Sequence, residues 1–179
     1  WDCVSICLIS VDGVDCAIQE PYPFDEGIFS KKLNGPGLKY EIGVCILTGD
    51  IVWVNGPFKA GRHDVTIFLE DGLKFALSDD EAVEVDAGFQ GDDALKNPNV
   101  AQTRADRREK SVVRSRHEVI NSWFKKFEVL NAIFRHHGDT KRSLEEKHRI
   151  CFDAVAVITQ LRFEFHGGPF DVEYAARYD

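Results

Sequence analysis

The apolar residues of this chain change their spacing once, and that change restricts the fold more than any other feature. Residues 4–18, 38–47 and 51–55 are rich in Val, Ile and aromatic side chains without helical period, and they read as strands. Thr48, Gly49 and Asp50 lie between the last two and suit a hairpin turn. From Asp64 the period becomes helical: Val65, Phe68, Leu69, Leu73, Ala76 and Leu77 recur at mostly three and four residues, which predicts a helix over 64–78 with Asp64 as N-cap. A short strand over 82–85 ends at Asp86, and Gly88 and Gly91 break it. Two later helices are predicted. The first spans 114–131 and turns Ile120, Trp123, Phe124, Phe127 and Leu130 to one side; the second spans 144–165 and turns Ile150, Ala154, Val157, Ile158 and Leu161 to the core. Segments 20–37, broken by Pro and Gly, and 92–113, polar and without period, read as long connections. The pattern is α/β, with a late strand joining a sheet begun by an antiparallel meander.

At 179 residues the chain suffices for one domain, and its 44% hydrophobic content excludes a wholly disordered chain. Its apolar runs are far shorter than the roughly 20 residues a membrane-spanning helix needs. It begins at Trp1 with no basic leader and contains no Met, so it reads as a segment of a longer protein. A net charge of -8 argues against gripping nucleic acid by bulk electrostatics. Cys3, Cys7, Cys16, Cys45 and Cys151 form no CxxC pair and read as reduced thiols of an intracellular protein. His136, His137 and His148 read as solvated, and Trp123, Phe124 and Phe127 as core.

Three acids stand out by position. Asp12 lies within the first strand region, Asp86 ends the later strand, and Glu118 sits on an amphipathic helix. Acids at the rim of a sheet can converge on a hard cation. Each also has a plain reading: a turn at Asp12-Gly13, a strand-ending turn at Asp86 and a solvated helix position at Glu118.

The ordered blocks SVDGVDCAIQEP, YEIGVCILTGDIVWVNGPFKAGRHD, VEVDAGFQG and RSRHEVINSWFKKFEVL resemble the DDE endonuclease domain of Harbinger-type (PIF/Harbinger) transposases and their domesticated relatives. The resemblance runs from about residue 9 to 161 and implies an RNase H-like fold, a five-stranded mixed sheet flanked by helices, with residues 1–179 forming a single nuclease domain. It implies that Asp12, Asp86 and Glu118 form the acidic triad, with Asp12 bridging two Mg²⁺ or Mn²⁺ ions. The spacing of 32 positions between Asp86 and Glu118 is of the size such domains use. Asp15 is the rival to Asp12, with opposite strand parity. His63 and Asp64 match a G-x-H-D block and either cap the helix or orient the metal ligands from behind. Arg114 matches the Arg that often precedes the last acid. Phe89 stands where Tyr is usual, and His117 where an apolar residue is usual.

Arg104, Arg107, Arg108, Lys110, Arg114 and Arg116 lead into the helix of Glu118, and Arg107, Arg108, Arg114 and Arg116 are the candidate contacts to DNA phosphates. The resemblance implies a nuclear protein acting on DNA, with a separate DNA-binding module or a second copy of the chain as partner and no membrane. The competing reading is a domesticated derivative that keeps the fold as a DNA-associated adaptor and has lost catalysis.

Overall fold

The computed structural model describes residues 5–101, 103–135, 142–174 and 177–178. Seven strands pair into one mixed sheet: β1 (Ser5–Ala17), β2 (Phe29–Ser30), β3 (Gly35–Cys45), β4 (Ile51–Lys59), β5 (Glu81–Glu84), β6 (Leu95–Lys96) and β7 (Arg177–Tyr178). Strand β1 is central, antiparallel to β3 and parallel to β5. Outward from it, β4 pairs antiparallel with β3, and β6 pairs parallel with β5. The path β4-β3-β1-β5-β6 therefore has five strands. The two further ones, β2 against β3 and β7 against β1, are two-residue pairings too short to leave a period in the sequence.

The β3–β4 turn closes with the Gly49 N–H donating to the Cys45 carbonyl, and Gly49 takes φ +82°, a region that favours glycine. Helix α1 (Asp64–Glu70) stops well short of residue 78, because Gly72 interrupts it and a 3₁₀ turn, Leu73–Ala76, follows. His63, not Asp64, is its N-cap; Asp64 is the first helical residue, and its carboxylate goes to Lys39 instead of capping.

Helix α2 (Arg104–Phe124) begins ten residues before the predicted start and takes up the second part of the expected irregular connection. Its first turn is apolar-poor, yet a capping box holds it: the Asp106 N–H donates to the Thr103 hydroxyl, and the Thr103 N–H donates to the Asp106 carboxylate. It ends at Phe124, and the short α3 (Glu128–Asn131) takes up the remainder of the segment predicted as one helix.

Helix α4 (Leu144–His166) is capped by Ser143 with Glu146 and ends at Gly167. Its buried face is not the predicted one. His148, Phe152, Val155, Ala156, Thr159 and Phe163 face the sheet, while Ile150, Val157, Ile158 and Leu161 are exposed. Both faces of this helix are apolar, so period alone does not choose between them. The choice is made by aromatic stacking: Phe152 lies 3.7 Å from Tyr40 and 5.2 Å from Phe124, centroid to centroid. His148 is accordingly buried, not solvated, with its Nδ1 at 2.8 Å from the Tyr40 hydroxyl. Cys3, His136 and His137 lie outside the described residues.

Both sheet faces are covered. Val14, Cys16, Leu38, Tyr40 and Ile42 pack under α2 and α4, and Val11, Val83, Val85 and Phe89 pack with Phe68 of α1 and with Leu73. One pair of charges is taken into this interior together. Lys110 donates to both carboxylate oxygens of Glu84 at 2.6 and 2.7 Å, as buried charges require.

Phe152→Ala should cost about 3–5 kcal/mol in unfolding free energy, since it removes the ring that joins α4 to Tyr40 and Phe124. Urea unfolding measures it, and a loss below about 1 kcal/mol would mean that α4 is not anchored there.

Candidate active site

Asp12 and Asp86 are brought level by strand register. Ser10 of β1 pairs in parallel with Glu84 of β5, so two residues further along each chain the two aspartates stand side by side on the α2 face. They line one cleft of about 20 Å³ with Ser10, Arg114 and His117. That volume has room for about one water. Each Asp12 oxygen is held: the Gly13 N–H donates to Oδ1 at 2.8 Å, and Asn121 Nδ2 of α2 donates to Oδ2 at 2.9 Å. Asp86 Oδ1 accepts from the Gly88 N–H at 2.7 Å, which fixes the turn after β5.

Burial pushes the Asp12 carboxyl up to about 6, with Asp64 and Asp86 adding to the rise and Lys32 and the Gly13 N–H opposing it. Asp64 gets close because Gly13 has no side chain; a Cβ there would fall 2.2 Å from Asp64 Oδ1. Lys39 Nζ answers part of the charge, at 2.9 Å from Asp64 and 3.9 Å from Asp15. Lys32 lies on the other side of Gly13, with its Nζ at 3.4 Å from that carbonyl. Desolvation works against the Lys32 ammonium, but Asp12, Asp64, Asp15 and Asp86 outweigh it and hold its pKa above the ordinary lysine value.

Asp15, the rival acid, faces the α1 side and is engaged by the Ser30 hydroxyl and Lys39. Glu118 does not line the cleft. Its side chain is 64% exposed and lies 3.4 Å from Arg114 Nε, one helical turn back. Between them on the helix, His117 is buried, with Nδ1 at 2.8 Å from Ser10 Oγ, and burial lowers it to about 3, so it is neutral at physiological pH. His63 is exposed at the start of α1.

Of the four candidate DNA contacts, Arg107, Arg108 and Arg114 are exposed. Arg116 is a correction: it is 2% exposed, and its guanidinium donates to the carbonyls of Cys45, Ile46 and Phe170, which ties α2 to the end of β3 and puts it out of reach of a phosphate. Lys110 is likewise buried against Glu84. A larger groove of about 430 Å³ lies elsewhere, lined by Trp123, Phe127, Ile158, Leu161 and Phe165, and no acid lines it that could hold a cation.

The DDE superfamily endonuclease family matches residues 11–162, a span that includes Asp12, Asp86 and Glu118. The chain belongs to that family. No curated protein and no solved structure matched it. The DDE superfamily endonucleases are transposase-type nucleases, and DNA is the substrate that such a nuclease implies. Within the domain the donor chemistry at Asp12 and Asp86 fits a divalent cation: two hard carboxylates, one strongly desolvated, with an ammonium already drawn to their edge. Among the described residues, no three His, Cys, Asp or Glu side chains are close enough to form a complete metal cage.

Three residues of this site escape a reading of the sequence. Asn121 carries a usable signal, since it lies one turn beyond His117 on the same helix face. Ser10, at the same strand parity as Asp12, carries a weaker one. Lys32 carries none, because a lysine in a Gly- and Pro-rich segment reads as solvated.

The elevated Asp12 makes stability depend on pH. The folded state binds this proton more tightly than the unfolded chain, so the contribution is complete below about pH 4 and lost as pH rises through about 6. Asp12→Asn should therefore be more stable than the parent by about 1–3 kcal/mol at pH 8, without added metal, and lose that advantage near pH 4. Melting temperatures across that range check it; equal stability at pH 8 would contradict the burial of a charged Asp12.

Proposed function

We propose that this chain is the catalytic domain of a Harbinger-type transposase with an RNase H-like fold, a divalent-metal-dependent DNA endonuclease and strand transferase that works in the nucleus. The observation that carries the reading is the register of β1 and β5, which sets Asp12 and Asp86 level over one ion-sized cleft. The strand path β4-β3-β1-β5-β6, antiparallel on one side of β1 and parallel on the other, supports the fold assignment.

Asp12 and Asp86 would hold Mg²⁺ or Mn²⁺, with Glu118 joining them from α2 once its carboxylate leaves Arg114. Divalent cations held there would supply the positive charge that activates an attacking water or 3′-hydroxyl and stabilises the oxygen leaving phosphorus. Asn121 and the Gly13 N–H keep both Asp12 oxygens oriented while this happens. Arg114, which lines the cleft, would meet a phosphate there once released from Glu118, and Asp64, beside Gly13, supports the rim from the start of α1 with His63 next to it. Arg107 and Arg108, exposed two turns earlier on α2, contact flanking phosphates.

A second reading, a domesticated domain that has kept the fold and lost catalysis, is favoured by one observation: Glu118 points to solvent in an ion pair with Arg114. Nicking of supercoiled plasmid in Mn²⁺ separates the two. Asp86→Asn and Glu118→Gln should each reduce nicking about a hundredfold or more. No nicking by the parent chain, or nicking indifferent to both substitutions, would sink the nuclease reading.

Binding of the isolated domain to duplex DNA should be weak, because its net charge of -8 repels phosphate. Arg107→Ala with Arg108→Ala should weaken it equally for all sequences and lower the salt slope by about one per lost phosphate contact. A slope unaltered in the double variant would move the DNA path to another face.

A further inference from the structure

The cations around Asp12 differ in how firmly they are committed. Lys39 is buried and fixed by Asp64, Asp15 and the Arg62 carbonyl, and Lys110 is buried on Glu84. Arg114 is occupied by Glu118. Lys32 is exposed, and its ammonium makes a long, 3.4 Å approach to the Gly13 carbonyl, one residue from Asp12. The turn that carries it is nevertheless well anchored. Ser30, at its start, donates its hydroxyl to Asp15 and accepts the Leu33 N–H at 3.1 Å, so residues 31–34 are pinned to β1 and the ammonium is delivered to the acidic rim.

A lysine placed there meets two kinds of charge in turn. Without metal, the aspartates attract it as a tethered counter-ion. When divalent ions supply that positive charge, the ammonium is repelled from the rim while staying on its anchored turn, within a side chain's reach of the cleft. The group that then needs it is the phosphate entering the cleft, whose non-bridging oxygens accept from an ammonium.

We propose that Lys32 is a substrate-contacting residue of this site, which neutralises the Asp12–Asp86 rim in the metal-free protein and binds a non-bridging oxygen of the incoming DNA phosphate when cations displace it. This role rests on the metal-dependent reading of Asp12 and Asp86.

The two roles make opposite demands on one substitution, and that is the test. Lys32→Ala removes a competing positive charge, so Mn²⁺ alone, titrated calorimetrically, should bind about three- to tenfold more tightly than to the parent. The same variant should bind a short nicked duplex in Ca²⁺ about three- to tenfold more weakly, with a salt slope lower by about one. Lys32→Arg, which keeps the charge, should stay near the parent in both, and circular dichroism verifies that each variant is folded. Unchanged or weakened Mn²⁺ binding by Lys32→Ala, or unchanged DNA binding, overturns the proposal. Asp86→Asn tells the two layers apart. If Asp86→Asn loses Mn²⁺ and Lys32→Ala behaves as the parent, only the role of Lys32 falls; if Mn²⁺ binding ignores Asp86, the metal reading falls with it.

Discussion

Strand β1 is paired with β5 over residues 6–10 and with β3 over residues 9–17, and the rest of the molecule is arranged around that constraint. A strand held in register by its neighbours cannot rotate, so its side chains alternate between two covered layers: Ser10, Asp12, Val14 and Cys16 to α2 and α4, Val11, Gly13 and Asp15 to α1. Asp12 therefore meets Asn121, and Asp15 meets Lys39 and Ser30. The parallel pairing of Ser10 with Glu84 then decides where Asp86 emerges. A slip of one residue would carry Asp12 into the α1 layer and separate the two acids. The candidate site is in this sense a product of register, and the loops around it only adjust its edge.

The interior also holds more charge than an apolar core tolerates without compensation. Lys110 with Glu84, Lys39 with Asp64 and Asp15, and Arg116 on the carbonyls of Cys45 and Ile46 each join two elements of the fold. Removing one partner from such a pair leaves a buried charge and costs about 3–5 kcal/mol, far more than the pair itself contributes. These pairs act chiefly as locators: Lys110 and Arg116 fix the rotation of α2, and with it which of its residues look into the cleft. His117 and Asn121 look inward, while Glu118 lies at the edge.

What can be read in the sequence follows from this. The strands and Asp12 are legible because β-branched runs and an acid inside one of them are local signals. Asp86 is legible because it follows a short apolar strand and Gly88 and Gly91 break the segment soon after it. The start of α2 is hidden, since a polar first turn shows no hydrophobic period and only Thr103 with Asp106 marks it. The buried face of α4 is misjudged because Ile150, Val157, Ile158 and Leu161 make as good a stripe as Phe152, Val155, Ala156 and Phe163, and the decision lies with Tyr40, more than a hundred residues away in the chain. Arg116 is misjudged for the same reason. A basic run reads as one surface, although on a helix Arg114 and Arg116 point in different directions, one outward and one into the carbonyls that end β3.

The balance at Asp12 connects fold and chemistry. Four groups shift its proton affinity: Gly13 and Lys32 favour the charged form, Asp64 and Asp86 oppose it, and desolvation exceeds each of them, so the carboxyl is raised to about 6. Hydrogen bonds from Gly13 and Asn121 orient the group without removing this penalty. The close approach of Asp64, which the missing side chain of Gly13 permits, increases it. An arrangement selected for stability alone would place an amide at position 12, which would relieve the repulsion. The site instead keeps clustered negative charge at one end of an otherwise well-compensated sheet. The Lys39 and Lys32 ammoniums offset that charge in part, and a cation of higher charge density would offset it better.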